Sequence, residues 1–158
     1  MIDFLSIFPD WLKIVVSAMI PVFELRWSIP FGILILKMSY LYTYIFSIIG
    51  TIIPAPFILW FIPSILKWMR STKLLGGLGN WIYNKGIKNT VKVNKYGFWG
   101  LVIFIGIPLP GTGVWTGCLA ASLLQLDFKK SFLASIVGAA VAGIAMMILT
   151  FLLGMAIL

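Results

Sequence analysis

Glu24 and Arg26 are the ionisable residues that lie deepest within an apolar run of this sequence. A charge at bilayer depth costs at least about 2.5–3.5 kcal/mol on insertion scales, so such residues usually pair with each other or line a wet cavity. A guanidinium is well shaped to bind an anionic headgroup. We therefore interpret Arg26 as an anion-binding residue and Glu24 as a side chain that takes up and releases a proton. The alternative interpretation is a structural ion pair that holds a turn.

A second candidate site lies where prolines and glycines interrupt another apolar run. Gly111, Thr112 and Gly113 would offer backbone N–H groups at the start of a helix, and helix starts attract anions through free donors and the helix dipole. The alternative is a kink that serves only packing. The candidate substrate-binding residues at the two interruptions are Arg26, Ser28, Pro30, Pro108, Pro110, Gly111, Thr112, Gly113, Trp115 and Thr116.

The inventory of reactive residues excludes several classes of protein. The sequence has no histidine and one cysteine, Cys118. A Ser-His-Asp triad, a His/Cys zinc site and a disulfide framework therefore cannot be built. The few carboxylates are scattered, and the glycine-rich run at 76–79 lacks the Lys-Ser/Thr of a phosphate-binding loop. We expect no enzymatic activity, no metal site and no cofactor.

The composition indicates a membrane protein. Of 158 residues, 61% are apolar and only 10% are charged, whereas soluble domains are about half apolar and a quarter charged. The length permits one domain and roughly four membrane crossings. The net charge of +8 would suit nucleic acid, but the basic residues lie between apolar runs, where positive charge reports membrane orientation. We expect membrane lipids and protons, and no nucleic acid, as partners.

Two of four apolar runs are long enough to cross a bilayer, and the other two are interrupted. Glu24, Arg26 and Pro30 interrupt the first run, with Pro21 just ahead of them, and the segment from Pro108 to Gly113 interrupts the third. Each interrupted run leaves two pieces of about ten residues, which at 1.5 Å per residue reach about half-way through the hydrocarbon. The runs are about 14–36, 40–62, 98–126 and 131–158.

The interruptions predict helical hairpins that enter the membrane and return to the same side. Proline removes a backbone donor, glycine permits a tight reversal, and Ser28 and Thr112 are predicted to cap the restarted helices. Each hairpin returns and each span crosses once, so the second repeat starts on the opposite face, as in many secondary transporters. We predict an all-α integral membrane protein with two inverted repeats in a single membrane domain. Repeat one covers about 10–66, a basic cytoplasmic loop about 67–96, and repeat two about 97–158.

The charge distribution predicts the orientation. The stretch from 67 to 95 carries seven lysines and arginines and no acid, so we place it in the cytoplasm and both termini outside a multi-pass cell (plasma or inner) membrane protein. The alternative is four full spans with both termini inside. Residues 71–96 fit an interfacial amphipathic helix or, equally, a solvated loop, and residues 4–12 fit a second interfacial segment.

The two interruptions also resemble the motifs of a known family. Glu24-Leu25-Arg26, followed by IP at 29–30 and Gly32, resembles the first motif of the small multi-drug export protein family. The stretches KYGFWGL at 95–101, IPLPGTGVWTG at 107–117 and LAA at 119–121 resemble its second, more specific motif. Thr51 stands where we expect the asparagine of a Gly-Asn pair in this family, and we include it among the substrate-binding candidates.

The resemblance implies an integral membrane protein with two opposed re-entrant hairpins. It also implies distant similarity to the DedA and VTT superfamily, which is associated with moving lipids and with proton coupling. The residues and the resemblance together leave three hypotheses for the function. The first is proton-linked transport or flipping of an amphiphilic anion, such as polyprenyl phosphate or a phospholipid. The second is proton-coupled export of lipophilic cations. The third is a non-transporting scaffold, and formation of a homo-oligomer is left open.

Overall fold

The computed structural model describes residues 8–72, 77, 80, 81, 84, 91–109 and 111–157, and this part of the chain is helical without strands. The first half consists of two short helices and a long one, and the second half repeats that order. The helices are α1 (Asp10–Met19), α2 (Glu24–Pro30, continued by a π-helical turn over Phe31–Ile35), α3 (Tyr40–Ile52), α4 (Pro54–Ser71), α5 (Val91–Gly106, broken at Gly97), α6 (Val114–Leu123) and α7 (Phe128–Ile157).

Two helices are long and apolar enough to cross a membrane. One comprises α3 and α4, which are nearly continuous because Ile53 between them keeps helical dihedral angles (φ −51°, ψ −45°). The hydrogen-bond ladder is interrupted there because Pro54 has no N–H to donate. The candidate spans are Tyr40–Met69 and Phe128–Met155, which confirms the two predicted crossing runs.

The first apolar run is interrupted at Pro21, just ahead of the residues Glu24, Arg26 and Pro30 at which the sequence predicts the break. α1 ends at Met19, and a turn over residues 20–23 leads directly into α2. Pro21 accounts for this break, because a proline cannot continue the hydrogen bonding of the preceding helix. Ser28 therefore lies inside α2, whose N-cap is Phe23, so the prediction that Ser28 caps the restarted helix is wrong.

The second interruption lies where the sequence predicts it, but its cap differs. α5 ends at Gly106, and α6 restarts at Val114 with Gly113 as N-cap and no side-chain cap. The Thr112 hydroxyl instead lies 2.7 Å from the carbonyl oxygens of Ile107 and Leu109. It closes the turn before the helix, so the prediction that Thr112 caps α6 is also wrong.

The connections into the two long helices have the same backbone form. Lys37 and Gln125 both adopt left-handed dihedral angles, with φ of 51° and 53°. Ser39 and Asp127 directly precede the long helices. Lys37 stands two residues before Ser39, and Gln125 stands two residues before Asp127. Such angles are uncommon outside glycine, so their recurrence at the same place marks the two connections as equivalent.

The long helices also use equivalent residues to contact their hairpins. The hydroxyl of Ser28 in α2 donates to Ser47 at 2.8 Å, and Cys118 in α6 lies 3.2 Å from the hydroxyl of Ser135. Ser28 and Cys118 are each the fifth residue of their helix. Hydroxyl bonds of this kind join membrane helices at about 0.6 kcal/mol each.

Glycines then bring each long helix close to the first arm of its own hairpin. Gly50 stands three residues after Ser47, and its α-carbon faces the backbone oxygen of Val15. Gly138 stands three residues after Ser135 and packs on Ile105, 2.7 Å from the place where a Cβ would be. Small residues at such positions permit close packing of helices in membranes.

The second arm of each hairpin packs against the long helix of the other half: α2 contacts α7, and α6 contacts α4. The outer surface is apolar, with exposed side chains such as Val22 and Trp60 (81% and 70%), as expected for contact with lipid. The predicted inverted orientation and re-entrant insertion stay predictions.

The predicted interfacial segments are described only in part. The basic segment at 67–96 lies largely outside the described residues, although its beginning belongs to α4, which continues to Ser71. Residues 10–12 of the other segment form the start of α1, and residues 4–7 lie outside the described part.

Candidate functional site

The turn of the first hairpin holds Glu24 in a rare backbone conformation. The Glu24 N–H donates to the carbonyl of Ile20 at 3.0 Å, and its φ of 45° is left-handed. Non-glycine residues with such angles cluster at functional sites and switch regions. The conformation directs the Glu24 side chain toward the second hairpin, where it is 3% exposed.

The turn of the second hairpin receives this carboxylate at the start of α6. The Trp115 N–H donates to Glu24 Oε1 at 2.9 Å, and Gly113 before it has φ +132°. A Cβ atom at Gly113 would overlap Glu24 Oε2, so this glycine is needed for both its dihedral angle and its size. Free N–H groups and the helix dipole make this helix start favourable for a negative charge.

Arg26 joins the two turns from the other side. Its Nη1 lies 3.5 Å from Glu24 Oε2, and its Nη2 donates to the Thr112 hydroxyl at 2.6 Å. The side chain is 21% exposed, and its Nε is buried without a hydrogen-bond partner. We call Glu24, Arg26, Thr112, Gly113 and Trp115 the turn site.

Trp115 also fixes the two hairpins to each other. Its indole N–H donates to the carbonyl of Met19 at 3.1 Å, and Met19 is the last residue of α1. The start of α6 therefore contacts the end of α1, so that helix ends of opposite partial charge lie near each other. Among the described residues, no three metal-binding side chains lie together.

The comparison with family models identifies the kind of protein that carries this site. The model described as "Putative small multi-drug export protein" matches residues 24–145, more than half of the chain. This chain belongs to the small multi-drug export protein family. No curated protein and no solved structure matches the chain. The family and the two long apolar helices together make it a membrane protein of an export family.

The match of the small multi-drug export family begins at Glu24 and includes both turns. The structure brings together Arg26, Thr112, Gly113 and Trp115 from the set of residues predicted to bind substrate. Thr116 lies in the same first turn of α6, where its hydroxyl donates to the Gly113 carbonyl at 3.3 Å.

The other candidates have different surroundings. Ser28 and Thr51 are fully buried, and Thr51 donates to the Ala18 carbonyl at 3.5 Å, so both hydroxyls contact neighbouring helices. Pro30 lies inside α2. Pro108 and Gly111 belong to the second turn, where Gly111 has φ +85°, and Pro110 lies outside the described residues. A substrate-binding role for these residues stays a prediction.

The sequence did not reveal two features of the site. The predicted anion site at the start of α6 contains an anion that belongs to the protein itself, the Glu24 carboxylate. The sequence contained a signal for this internal anion, because Glu24 of the first motif is a carboxylate within an apolar run. The Met19 carbonyl that accepts from Trp115 could not be found, because backbone acceptors carry no sequence signal.

An apolar groove runs along the first hairpin beside the turn. Its volume is about 460 Å³, and it is lined by residues of α1, including Val16, and of α2, including Trp27. Ile20 and Phe23, the ends of the turn that leads into Glu24, also line it. Lys13 is the charged residue of its lining and is paired with Asp10 at 2.7 Å.

Proposed function

We propose that this protein is a proton-linked transporter or flippase of an amphiphilic anion, such as a phosphate-bearing lipid. One observation carries the proposal: a guanidinium and a helix start meet around a buried carboxylate where the two hairpins touch. Arg26 and the N–H groups of α6 are donors suited to a phosphate group. Glu24 is the group that gains and loses a proton as the substrate passes.

The arrangement of the halves supports transport across the membrane. We propose that both hairpins are re-entrant and that the halves are inverted repeats, which brings their turns together near the midplane. The reciprocal packing of α2 on α7 and of α6 on α4 supports this arrangement. Inverted repeats with a midplane site at helix ends are the usual basis of alternating access.

The apolar groove supports an amphiphilic rather than a simple inorganic anion. A hydrocarbon chain that lies in the groove contacts Phe23, next to Glu24 in the chain, and Trp27, next to Arg26. We propose that the chain of the substrate lies there while its headgroup reaches Arg26. Apolar lining with few polar groups is the usual composition of such sites.

Flux into liposomes tests this function. Purified protein is reconstituted, and uptake of labelled polyprenyl phosphate is measured with and without a pH gradient. We expect Arg26→Ala to lower flux by about ten- to a hundred-fold, because a hydrogen bond to a charged group contributes about 1.5–3 kcal/mol. Glu24→Gln should make the flux insensitive to the pH gradient, since an amide carries no proton.

The control variant is Lys37→Ala, which removes an exposed positive charge outside the turn site and should leave flux unchanged. Equal loss in Lys37→Ala and Arg26→Ala, or undiminished flux in Arg26→Ala, would contradict an anion site at Arg26.

Export of lipophilic cations is the second candidate function. The buried carboxylate of Glu24 favours it, because a carboxylate can bind a cation and a proton in turn. The Arg26 guanidinium 3.5 Å away opposes it, because it would repel a cation. The same liposomes, loaded with a labelled quaternary ammonium dye, distinguish the two: cation flux that Glu24→Gln abolishes supports export, and flux of neither substrate supports a scaffold.

A further inference from the structure

The donors that would bind a transported anion are already occupied by a side chain of the protein. A phosphate or sulfonate group needs N–H donors and a guanidinium, and a carboxylate has the same requirement. At the turn site, the Trp115 N–H donates to Glu24 Oε1 at 2.9 Å, and Arg26 Nη1 lies 3.5 Å from Glu24 Oε2. Glu24 thus has the contacts that we propose for the substrate headgroup.

Glu24 also occupies the space at the start of α6, in addition to the donors there. A Cβ atom at residue 113 would overlap Glu24 Oε2 and would lie 3.0 Å from Arg26 Nη1. The Glu24 side chain is 3% exposed. Arg26 Nε, in contrast, is buried and has no hydrogen-bond partner. An anion that binds to the Trp115 N–H and Arg26 Nη1 therefore has to replace Glu24, and Arg26 Nε is a further donor open to it.

We infer that the Glu24 carboxylate and the transported anion exclude each other at the turn site, so that each anion bound is accompanied by the uptake of one proton. This inference rests on the proposed function and adds the way in which proton and substrate are linked. A carboxylate displaced from its donors into apolar surroundings is far more stable when neutral. The proton binds to Glu24, the Trp115 N–H and Arg26 turn to the substrate, and the two steps occur together.

Few other groups that titrate face Glu24 in the described part of the protein. Arg26 lies on its own helix, and Cys118 lies one turn further along α6, within electrostatic range. Tyr44, on α3, donates its hydroxyl to the Ala140 carbonyl at 3.1 Å. Because the thiol and the phenol are neutral near pH 7, Glu24 is the group whose charge changes when an anion enters.

Equilibrium binding with proton counting tests the inference. The protein is placed in nanodiscs of neutral lipid, and the probe is labelled decanesulfonate, whose charge is constant from pH 5 to 8. We expect about one proton to be taken up per anion bound by the natural protein, in weakly buffered solution. By linkage, its affinity should then increase up to about tenfold for each unit by which pH is lowered.

Variants distinguish competition between Glu24 and the anion from direct participation of Glu24 in anion binding. Glu24→Gln should bind decanesulfonate at least about tenfold more tightly at pH 8, without proton uptake and without dependence on pH, because a neutral amide is displaced more easily. Asp10→Asn is the matched control: it neutralises a carboxylate of the same hairpin that is exposed and paired with Lys13, and it should behave as the natural protein does.

The outcomes distinguish the inference from the function on which it rests. In one outcome, decanesulfonate binding requires Arg26 and yet takes up no proton and is no tighter in Glu24→Gln. That result overturns the competition between Glu24 and the anion but agrees with the proposed anion transport. Binding of decyltrimethylammonium in place of decanesulfonate, or of neither probe, overturns both. Should Glu24→Gln fail to fold, the proton count of the natural protein alone decides.

Discussion

Gly113 is the residue on which the contact between the two turns depends. Its φ of +132° is disfavoured for any residue with a Cβ, and that Cβ would overlap the Glu24 carboxylate. Gly111 also has a positive φ, +85°, but a Cβ there would meet nothing within 4 Å. Gly111→Ala therefore has a backbone cost alone, whereas Gly113→Ala has a larger backbone cost, because φ +132° with ψ −174° is populated almost only by glycine, and it also displaces Glu24.

We expect Gly113→Ala to destabilise the protein much more than Gly111→Ala. The control, Gly111→Ala, should lower the free energy of unfolding by about 1–2 kcal/mol, the cost of a left-handed backbone conformation for a residue with a Cβ. Gly113→Ala adds disruption of a buried ion pair, for which loss of a partner costs about 3–5 kcal/mol. Thermal unfolding in detergent measures the difference, and adding Glu24→Ala should recover part of the loss in Gly113→Ala. Equal melting temperatures of the two alanine variants would show that the overlap is unimportant.

Sequence alone predicted that the charged residues Glu24 and Arg26 need a partner, but it did not predict which groups the buried hydroxyls contact. A charge in an apolar run is expensive, so Glu24 and Arg26 had to have a partner or a function. A buried hydroxyl has no such requirement, because it can bond to any nearby carbonyl or hydroxyl. Ser28 and Thr51 contact Ser47 and Ala18, and nothing in their sequence positions distinguished this from contact with a substrate.

At the scale of the helices, one glycine in each long helix permits close packing against the hairpin of the same half. A Cβ at Gly50 would overlap the Val15 backbone oxygen, which cannot move without the helix, and one at Gly138 would lie 2.7 Å from Ile105 Cβ. Gly154, further along α7, has only Leu34 at 3.8 Å. The first two positions exclude a methyl group, and the third has room for one.

Alanine at these positions should therefore have opposite effects. Gly50→Ala and Gly138→Ala should each lose about 1–3 kcal/mol through overpacking. Gly154→Ala should be neutral or gain up to about 1 kcal/mol, because alanine favours helix more than glycine does. Melting temperatures of the reconstituted variants give the comparison, and a stable Gly50→Ala would contradict the close packing of α3 on α1.

The lengths of the helices could be predicted, but the place of the first break could not. Prolines and glycines marked both interruptions, and the pieces of about ten residues agree with α1 and α6. Three candidates, Pro21, Glu24 and Pro30, lay close together in the first run. Local sequence does not tell which proline ends a helix and which lies within one. Here Pro21 ends α1, whereas Pro30 lies within α2 and is followed by a π-helical turn.

At the scale of the whole molecule, the two topologies differ in the side on which the start of α7 lies. With re-entrant hairpins, Lys129 and the basic segment at 67–95 share the cytoplasmic side, whereas four full spans put them on opposite sides. Lys129 is exposed in the structure, so a cysteine there is accessible to reagents.

Cysteine labelling should therefore place both positions on one side. In a Cys118→Ser background, Lys129→Cys and Lys85→Cys should both be protected from an impermeant maleimide in intact cells and react after permeabilisation. Lys37→Cys should react in intact cells in either topology and serves as the positive control. Labelling of Lys129→Cys without permeabilisation would establish four full spans.

The charged side chains of the turn site, Glu24 and Arg26, come from only one of two otherwise similar halves. Ser28 and Cys118 are equivalent, so Val114 and Thr116 stand where the first half has Glu24 and Arg26. The two turns are therefore not interchangeable: one supplies a carboxylate and a guanidinium, and the other supplies a hydroxyl and a backbone N–H. The structure is built from two similar halves, but its centre is chemically one-sided.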